Sequence, residues 1–253
     1  MIAIVAPLSI ELQGLRRFLK LAERGALGDT RFYAGTINDR EVVLAHTGVG
    51  GERAQSGIRD VIDRFSPESI VIVGYCGATH TRMKTGDILI CHRIMQYDGD
   101  VPGLSDAKTN AECYCDHEMV VRAVRALEHV KLNFHRSGCL TVNKVCATRI
   151  EKEWVGSTFP VLGVDLENAF YAGIAKELNV PLLAIRITLD EVEYDLPDVG
   201  FAFDASGQLS RSQILKRSLA HPFSILRLLR TRSATRLAGR RITEFIPALL
   251  EEL

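Results

Sequence analysis

The chain lacks the features that define several protein classes. No apolar run in its 253 residues approaches the roughly 20 that a membrane-spanning helix needs. The opening MIAIVAPLSIELQGLRRF carries no basic leader and turns amphipathic after Pro7, so it does not read as a signal peptide, and a cytoplasmic location is expected. There is no net charge, because 31 Lys and Arg balance 31 Asp and Glu. Glycine and proline are too few, at 20 and 8, for a collagen-like chain, and no internal repeat is found. With 47% hydrophobic and 25% charged residues, disorder and coiled coil drop out as well. The length suits one large α/β domain better than two.

Six cysteines occur, and in a leaderless chain of this size reduced thiols are expected. Cys113-Tyr114-Cys115-Asp116-His117 lacks a second ligand pair at zinc spacing, so no metal and no cofactor are expected. The zero net charge hides an asymmetry. From Ala205 to Thr243 there is no acidic residue, while nine of the basic ones fall there, from Arg211 to Arg241. The rest of the chain is therefore net acidic by nine. Two parts are expected: an α/β domain over 1–204 and a basic helical extension over 205–253, packed on or beside it.

What is present is an alternation of short apolar runs and amphipathic segments. Ile2–Ala6 is a continuous apolar run and reads as a buried strand, and the largely apolar Ser69–Gly74 and Pro181–Thr188 read as buried strands too. Arg31–Ile37 and Glu41–His46 read as strands around the turn Asn38-Asp39, and Asp87–Met95 as another. Leu140–Val142 and Pro160–Val164 are strand-like. Ser9 reads as the N-cap of a helix running through Leu12, Leu15 and Leu19. Further helices are expected over Glu52–Phe65, His117–His129 and Glu167–Leu178, and residues 99–116 read as a surface loop. This order implies an α/β fold: a three-layer α-β-α sandwich around a mostly parallel or mixed central sheet. Ligands of such sheets sit beyond the carboxyl ends of strands. Glu11, Gly48–Gly51, Gly74–Ala78, Asp165–Glu167 and Asp190 all fall there.

Glycines 48, 50 and 51 form a strand-to-helix turn whose backbone amides would hold an anion or a ribose hydroxyl. Glu11 and Glu167 sit in first turns of helices, where the dipole favours an acid. Arg186, inside an apolar strand, reads as the counter-ion of an interior carboxylate.

Four blocks, in order, carry a resemblance: IAIVAPLSIEL; HTGVGGERA followed by IVIVGYCGAT and KTGDILI; VLGVDLENA; and VPLLAIRITLDEV. Over about residues 1–195 the chain resembles the nucleoside phosphorylase superfamily, especially its methylthioadenosine/adenosylhomocysteine nucleosidase branch. The resemblance implies an enzyme that cleaves a purine N-ribosidic bond, with water or phosphate as nucleophile. It implies that Glu11 activates the attacking water, as a general base should. It implies that Asp190 gives a proton to purine N7, so the base leaves neutral. Glu167 would accept both ribose hydroxyls, Leu166 would lie under the sugar, and Asp165 stands where the family has a glutamate. Gly48 and Gly50 would line the sugar or phosphate site. Tyr75, Cys76 and Gly77 would line the base pocket, with Val145 in the place of a stacking aromatic. The sequence departs from the family at Tyr75, Ala78 and Leu189, where small hydroxyl residues or glycine are usual. Those departures favour the alternative, a non-catalytic nucleoside-binding protein on the same fold. Asp98 resembles a family His-Asp segment and is assigned no chemistry.

The basic segment carries apolar residues at helical spacing from Ile214 to Leu229, with Pro222 expected to divide it into two helices. Such helices either dock on the acidic body or lie on an anionic membrane; nucleic acid is not expected as a partner. With Asp195-Leu196-Pro197-Asp198, this tail resembles the hopanoid-associated phosphorylase subgroup, which implies a lipid-linked adenosyl substrate such as adenosylhopane. The resemblance to the nucleoside phosphorylase superfamily implies a homo-oligomer as the expected assembly.

Overall fold

The computed structural model describes residues 1–104, 106–196 and 224–253, with side chains in the last segment from residue 232 onward. The expected segment around Pro222 lies outside the described residues. Ten strands form one mixed sheet: β1 (Ile2–Ala6), β2 (Lys20–Leu27), β3 (Thr30–Ile37), β4 (Arg40–His46), β5 (Ser69–Ala78), β6 (Ile88–Tyr97), β7 (Ala111–Tyr114), β8 (Phe134–Val142), β9 (Val161–Asp165) and β10 (Leu182–Asp190). Among the described residues, six α-helices accompany them: α1 (Ser9–Leu12), α2 (Gly51–Phe65), α3 (His117–His129), α4 (Arg149–Thr158), α5 (Asn168–Glu177) and α6 (Ser224–Glu252).

The apolar runs make the centre. β5 pairs in parallel with β1 on one side and β10 on the other, and its residues from Ile70 to Val73 are fully buried. β6 joins β10 antiparallel and β8 parallel, and β8 joins β9. β9 then meets β5 again through two residue pairs, Gly77 with Val164 and Ala78 with Gly163. The sheet therefore curls into a ring of β5, β10, β6, β8 and β9, while β1, β4, β3 and β2 continue as a flap. Helices flank it in two groups, α2 with α5 and α3 with α6.

The helix expected through Leu19 is shorter than its apolar spacing suggests. α1 ends at Leu12, a single 3₁₀ turn covers Leu15–Arg17, and its N-cap is Leu8 rather than Ser9. Gly14, a weak helix former, interrupts it, and a Cβ there would collide with Thr243 Oγ1 of α6. The loop expected over 99–116 contains the short strand β7. α6 docks along one face: Ala234, Ala238, Ile242, Phe245 and Leu249, at steps of three or four, are buried. Arg232, Arg236 and Arg240 are exposed. Among the described residues, no helix is long and apolar enough to cross a membrane.

α4 is the helix closest to the site that sequence reasoning passed over. Thr148 caps it, accepting a hydrogen bond from the Glu151 amide. It packs on β9, and Val155 and Phe159 join a second core with Tyr97 and Trp154. Gly156 lets it approach β5, since a Cβ there would collide with the carbonyl oxygen of Thr79. Backbone cannot move aside as a flexible side chain does. Gly156→Ala is therefore expected to destabilise the protein by ~1–3 kcal/mol, despite the higher helix propensity of alanine. Chemical denaturation would measure this, and an unchanged or raised midpoint would contradict the close approach.

Candidate active site

Strand β5 organises the site through its last residues. The Tyr75 amide donates to Oε1 of Glu11 at 2.9 Å, and the Leu8 amide donates to Oε2 at 2.7 Å. Both carboxylate oxygens of Glu11 are thus held by backbone, and the side chain is buried. Two residues further on, ~7 Å along an extended strand, a Cβ on Gly77 would stand 3.3 Å from Oδ2 of Asp190 and 3.5 Å from Oδ1. The absent side chain at Gly77 is what allows the Asp190 carboxyl to lie against β5.

Arg186 lies at the centre of the other acids. It is fully buried in β10, opposite Gly74 in the parallel register. A Cβ on Gly74 would collide with Nη1 of Arg186 and stand 3.0 Å from Oε1 of Glu11. Arg186 Nη2 is 2.6 Å from Oδ2 of Asp165, and Nε donates to Oδ1 of Asn168 at 3.0 Å. Asp165 in turn accepts from Thr141 Oγ1 at 2.7 Å and from the Asn168 amide at 3.2 Å. Nη1 is buried and makes no hydrogen bond. The guanidinium therefore serves an interior carboxylate while also acting on Glu11 and Glu167 through space.

Glu167 stands at the N-cap of α5, buried, and its Oε1 accepts from the Gly50 amide at 3.2 Å. That bond explains the glycine turn. Gly50 adopts φ 107°, a left-handed conformation that glycine tolerates, and this aims its amide at Glu167. The Gly48 amide donates to the Pro7 carbonyl at 2.9 Å. Two of the turn's amides, those of Gly48 and Gly50, are thus engaged within the protein, and the turn fixes Glu167.

Electrostatics follow from burial. Burial pushes Glu11 up to about 7, against the pull of Arg186 and the amides of Leu8 and Tyr75. Burial also pushes Glu167 up to about 8; Arg186 opposes this, and Asp165 and Glu11 reinforce it. Asp165 is raised by burial and pulled back by Arg186 and Thr141. Asp190 is raised by burial and pulled back by Lys152. That lysine, on α4, is fully buried, and its Nζ donates to Asp190 Oδ2 at 2.7 Å, to the Glu191 carbonyl at 2.8 Å, and to the Tyr194 carbonyl. Sequence reasoning missed it. The available signal was a lysine three residues before Val155 and seven before Phe159, on the stripe of α4 that faces inward.

The other candidates fall as follows. The Tyr75 hydroxyl is buried without a hydrogen-bond partner and points towards α6, 3.9 Å from where a Cβ on Gly239 would lie. Its bulk is thus taken up against that helix. Cys76 is buried against Gly163, and burial raises its thiol. Val145 is half-buried beside Cys146, which feels both Asp190 and Lys152. Leu166 is half-buried against the second core. Asp98 is exposed, accepting from Gln96 at 2.8 Å, and belongs to a surface network. Among the described residues, no group of three or more His, Cys, Asp or Glu is arranged to hold a metal.

The chain as a whole is similar to known proteins. The model of the phosphorylase superfamily matches residues 1–217. The chain belongs to that superfamily. By that membership it is an enzyme. Among its relatives, a 5′-methylthioadenosine/S-adenosylhomocysteine nucleosidase of Staphylococcus epidermidis is 23% identical over 201 residues, 75% of this chain and 86% of that protein. A protein of the same name from Listeria monocytogenes is 28% identical over 202 residues, 75% of this chain and 85% of the relative. In fold, the chain is similar to the Neisseria meningitidis nucleosidase solved with methylthio-immucillin-A, at a TM-score of 0.77 and 17% identity, covering 100% of this chain and 99% of that one. It is equally similar to futalosine hydrolase of Helicobacter pylori, at 0.77 and 14%, covering 100% and 97%.

The raised acids make a prediction about stability. Glu11 and Glu167 both ionise less readily in the folded chain than at the ordinary value of 4.5. Their contribution is therefore fully present below about pH 4.5 and is lost as pH rises through about 7 and 8. The thermal midpoint of the ligand-free protein should fall between ~pH 5 and ~pH 8.5, and Glu167→Gln should flatten that fall. Equal slopes for wild type and variant would show that Glu167 is not strained by burial.

Proposed function

We propose that the chain hydrolyses the N-glycosidic bond of an adenosine-type nucleoside. The observation that carries this reading is the gathering of Glu11, Asp165 and Glu167 about Arg186, with Asp190 lying against Gly77, two residues beyond Tyr75 on β5. In this reading Glu167, an acceptor when ionised, holds the ribose hydroxyls. Glu11, poised near neutrality, takes a proton from water as its oxygen attacks C1′. Asp190 gives its proton to N7, so the electron pair of the breaking bond enters a neutral base. Gly77, Tyr75, Cys76, Val145 and Leu166 are proposed to border the nucleoside. The names of the relatives support a purine nucleoside as substrate.

Water is proposed as the nucleophile. Two amides of the glycine turn, those of Gly48 and Gly50, are already taken by Pro7 and Glu167. Adenine release from 5′-methylthioadenosine, followed with and without phosphate, tests both points. Equal rates are expected in the two buffers. Glu11→Gln and Asp190→Asn should each lower kcat by ~10²–10⁴-fold with the fold retained. Normal turnover in either variant would remove that residue from the mechanism, and strict dependence on phosphate would make the protein a phosphorylase.

A lipid-linked 5′ substituent, such as the hopane of adenosylhopane, is the finer proposal, and a homo-oligomer goes with it. Its support is the acid-free cationic segment from Ala205 to Thr243 and the exposed row Arg232, Arg236 and Arg240. The full chain should co-sediment with vesicles containing anionic lipid, and replacement of Arg232, Arg236 and Arg240 by glutamine should release it. These side chains are exposed, so their loss spares the buried face of α6. Equal sedimentation of wild type and variant would discard this row as the contact. The second reading, nucleoside binding without catalysis, has one observation in its favour: Asp190 is held in an ion pair. Tight adenosine binding without base release from any adenosyl compound would establish it.

A further inference from the structure

Lys152 stands outside every role assigned so far, and its surroundings are unusual for a lysine. Its side chain is fully buried, where an ammonium is costly unless its hydrogens are satisfied. All three are satisfied: one by Oδ2 of Asp190, two by the carbonyls of Glu191 and Tyr194. The same short segment is tied to α4 again, through Asp195 to the Arg149 amide at 2.8 Å and through the Leu196 amide to the Ala147 carbonyl at 2.7 Å. The chain after Asp190 thus wraps around one ammonium. Oδ2 of Asp190 is fixed by it, and Oδ1 has no such bond from Lys152.

We propose that Lys152 is a positioning residue for base departure: it locks Oδ2 of Asp190, turns Oδ1 towards the purine, and is the counter-ion for the carboxylate left when Asp190 gives up its proton. This rests on the hydrolytic reading above. The balance of the step is simple. The C1′–N9 bond breaks and its electron pair passes into the purine. The Asp190 proton moves to N7, water forms the new bond at C1′, and Glu11 takes the proton that water loses. The ammonium keeps its three hydrogens throughout; Glu11 later gives its proton to solvent, and solvent returns one to Asp190. The groups facing Asp190 are few. Lys152 comes from α4, the Cys76 thiol from β5, and the Cys146 thiol from the β8–α4 connection. The neighbouring Glu191 turns away to Lys84 and Thr85. Among these, Lys152 is the cation, so its removal leaves burial of Asp190 unopposed.

The test uses the full chain with Lys152→Gln, Lys152→Met and Lys152→Arg. Difference infrared spectroscopy follows the Asp190 carboxyl stretch against pH, assigned with Asp190→Asn, and needs no turnover. The Gln and Met variants should raise the protonation midpoint by at least about one pH unit, and Arg should restore it. With 5′-methylthioadenosine, the alkaline limb of kcat/KM should move up by the same amount. In these two variants kcat should fall at least tenfold, with KM within about threefold. A merely structural lysine would leave both midpoints in place, and that result overturns the proposal. Glutamine keeps N–H donors for the two carbonyls, so it guards against a methionine variant that does not fold. If neither folds, nitrogen-15 NMR of the wild type decides: an exchange-protected ammonium signal that shifts in Asp190→Asn is expected, and its absence overturns the proposal. An unmoved midpoint in a protein that releases base removes Lys152 alone. A moved midpoint in one that releases none removes the hydrolytic reading and this inference with it.

Discussion

One buried guanidinium holds the site together. Arg186 sits in the middle of a β-strand, within reach of Asp165, Glu167 and Glu11, and none of these acids could be buried this close without it. A cation in that place requires glycine at position 74, acceptors on Asn168 and Asp165, and a hydroxyl on Thr141 to complete the Asp165 shell. The carboxyl ends of β5, β9 and β10 are therefore committed to one electrostatic cluster. The remaining architecture, from the parallel register of β5 with β10 to the turn at Gly50, serves to bring its members together.

The cluster is unevenly balanced. One cation stands among three acids, and two of those acids are raised to about 7 and about 8. Near neutrality they are poised between their charged and neutral forms, the state suited to moving protons. Asp190 is set apart from them, with a cation of its own. The site thus has two compartments. In the proposed reading, one deals with sugar and water and the other with the base.

The sequence revealed the fold where burial dominates. Ile2–Ala6, Ser69–Gly74 and Leu182–Thr188 are apolar because both faces of the central sheet are covered, and they appear as β1, β5 and β10. β2 was not legible, because its residues lie at an exposed edge and carry no alternation. α4 was hidden because its inward stripe is broken by Lys152 and Gly156. Closure of the ring rests on two residue pairs between β5 and β9, too short a pairing to leave a pattern. Of the candidate site, Glu11, Asp165, Glu167 and Asp190 could be picked out from strand-end placement and family blocks. The contribution of Lys152 could not, because a lysine in a helix normally signals solvent.

Gly74 and Gly77 also limit how this pocket can be redesigned. Any side chain at 74 would displace the arginine, and one at 77 would crowd the carboxyl of Asp190. In the proposed reading, a library aimed at new nucleosides gains nothing from diversifying that stretch of β5. Variation belongs instead at Val145 and Leu166, half-buried positions whose side chains make none of the hydrogen bonds that hold the acids.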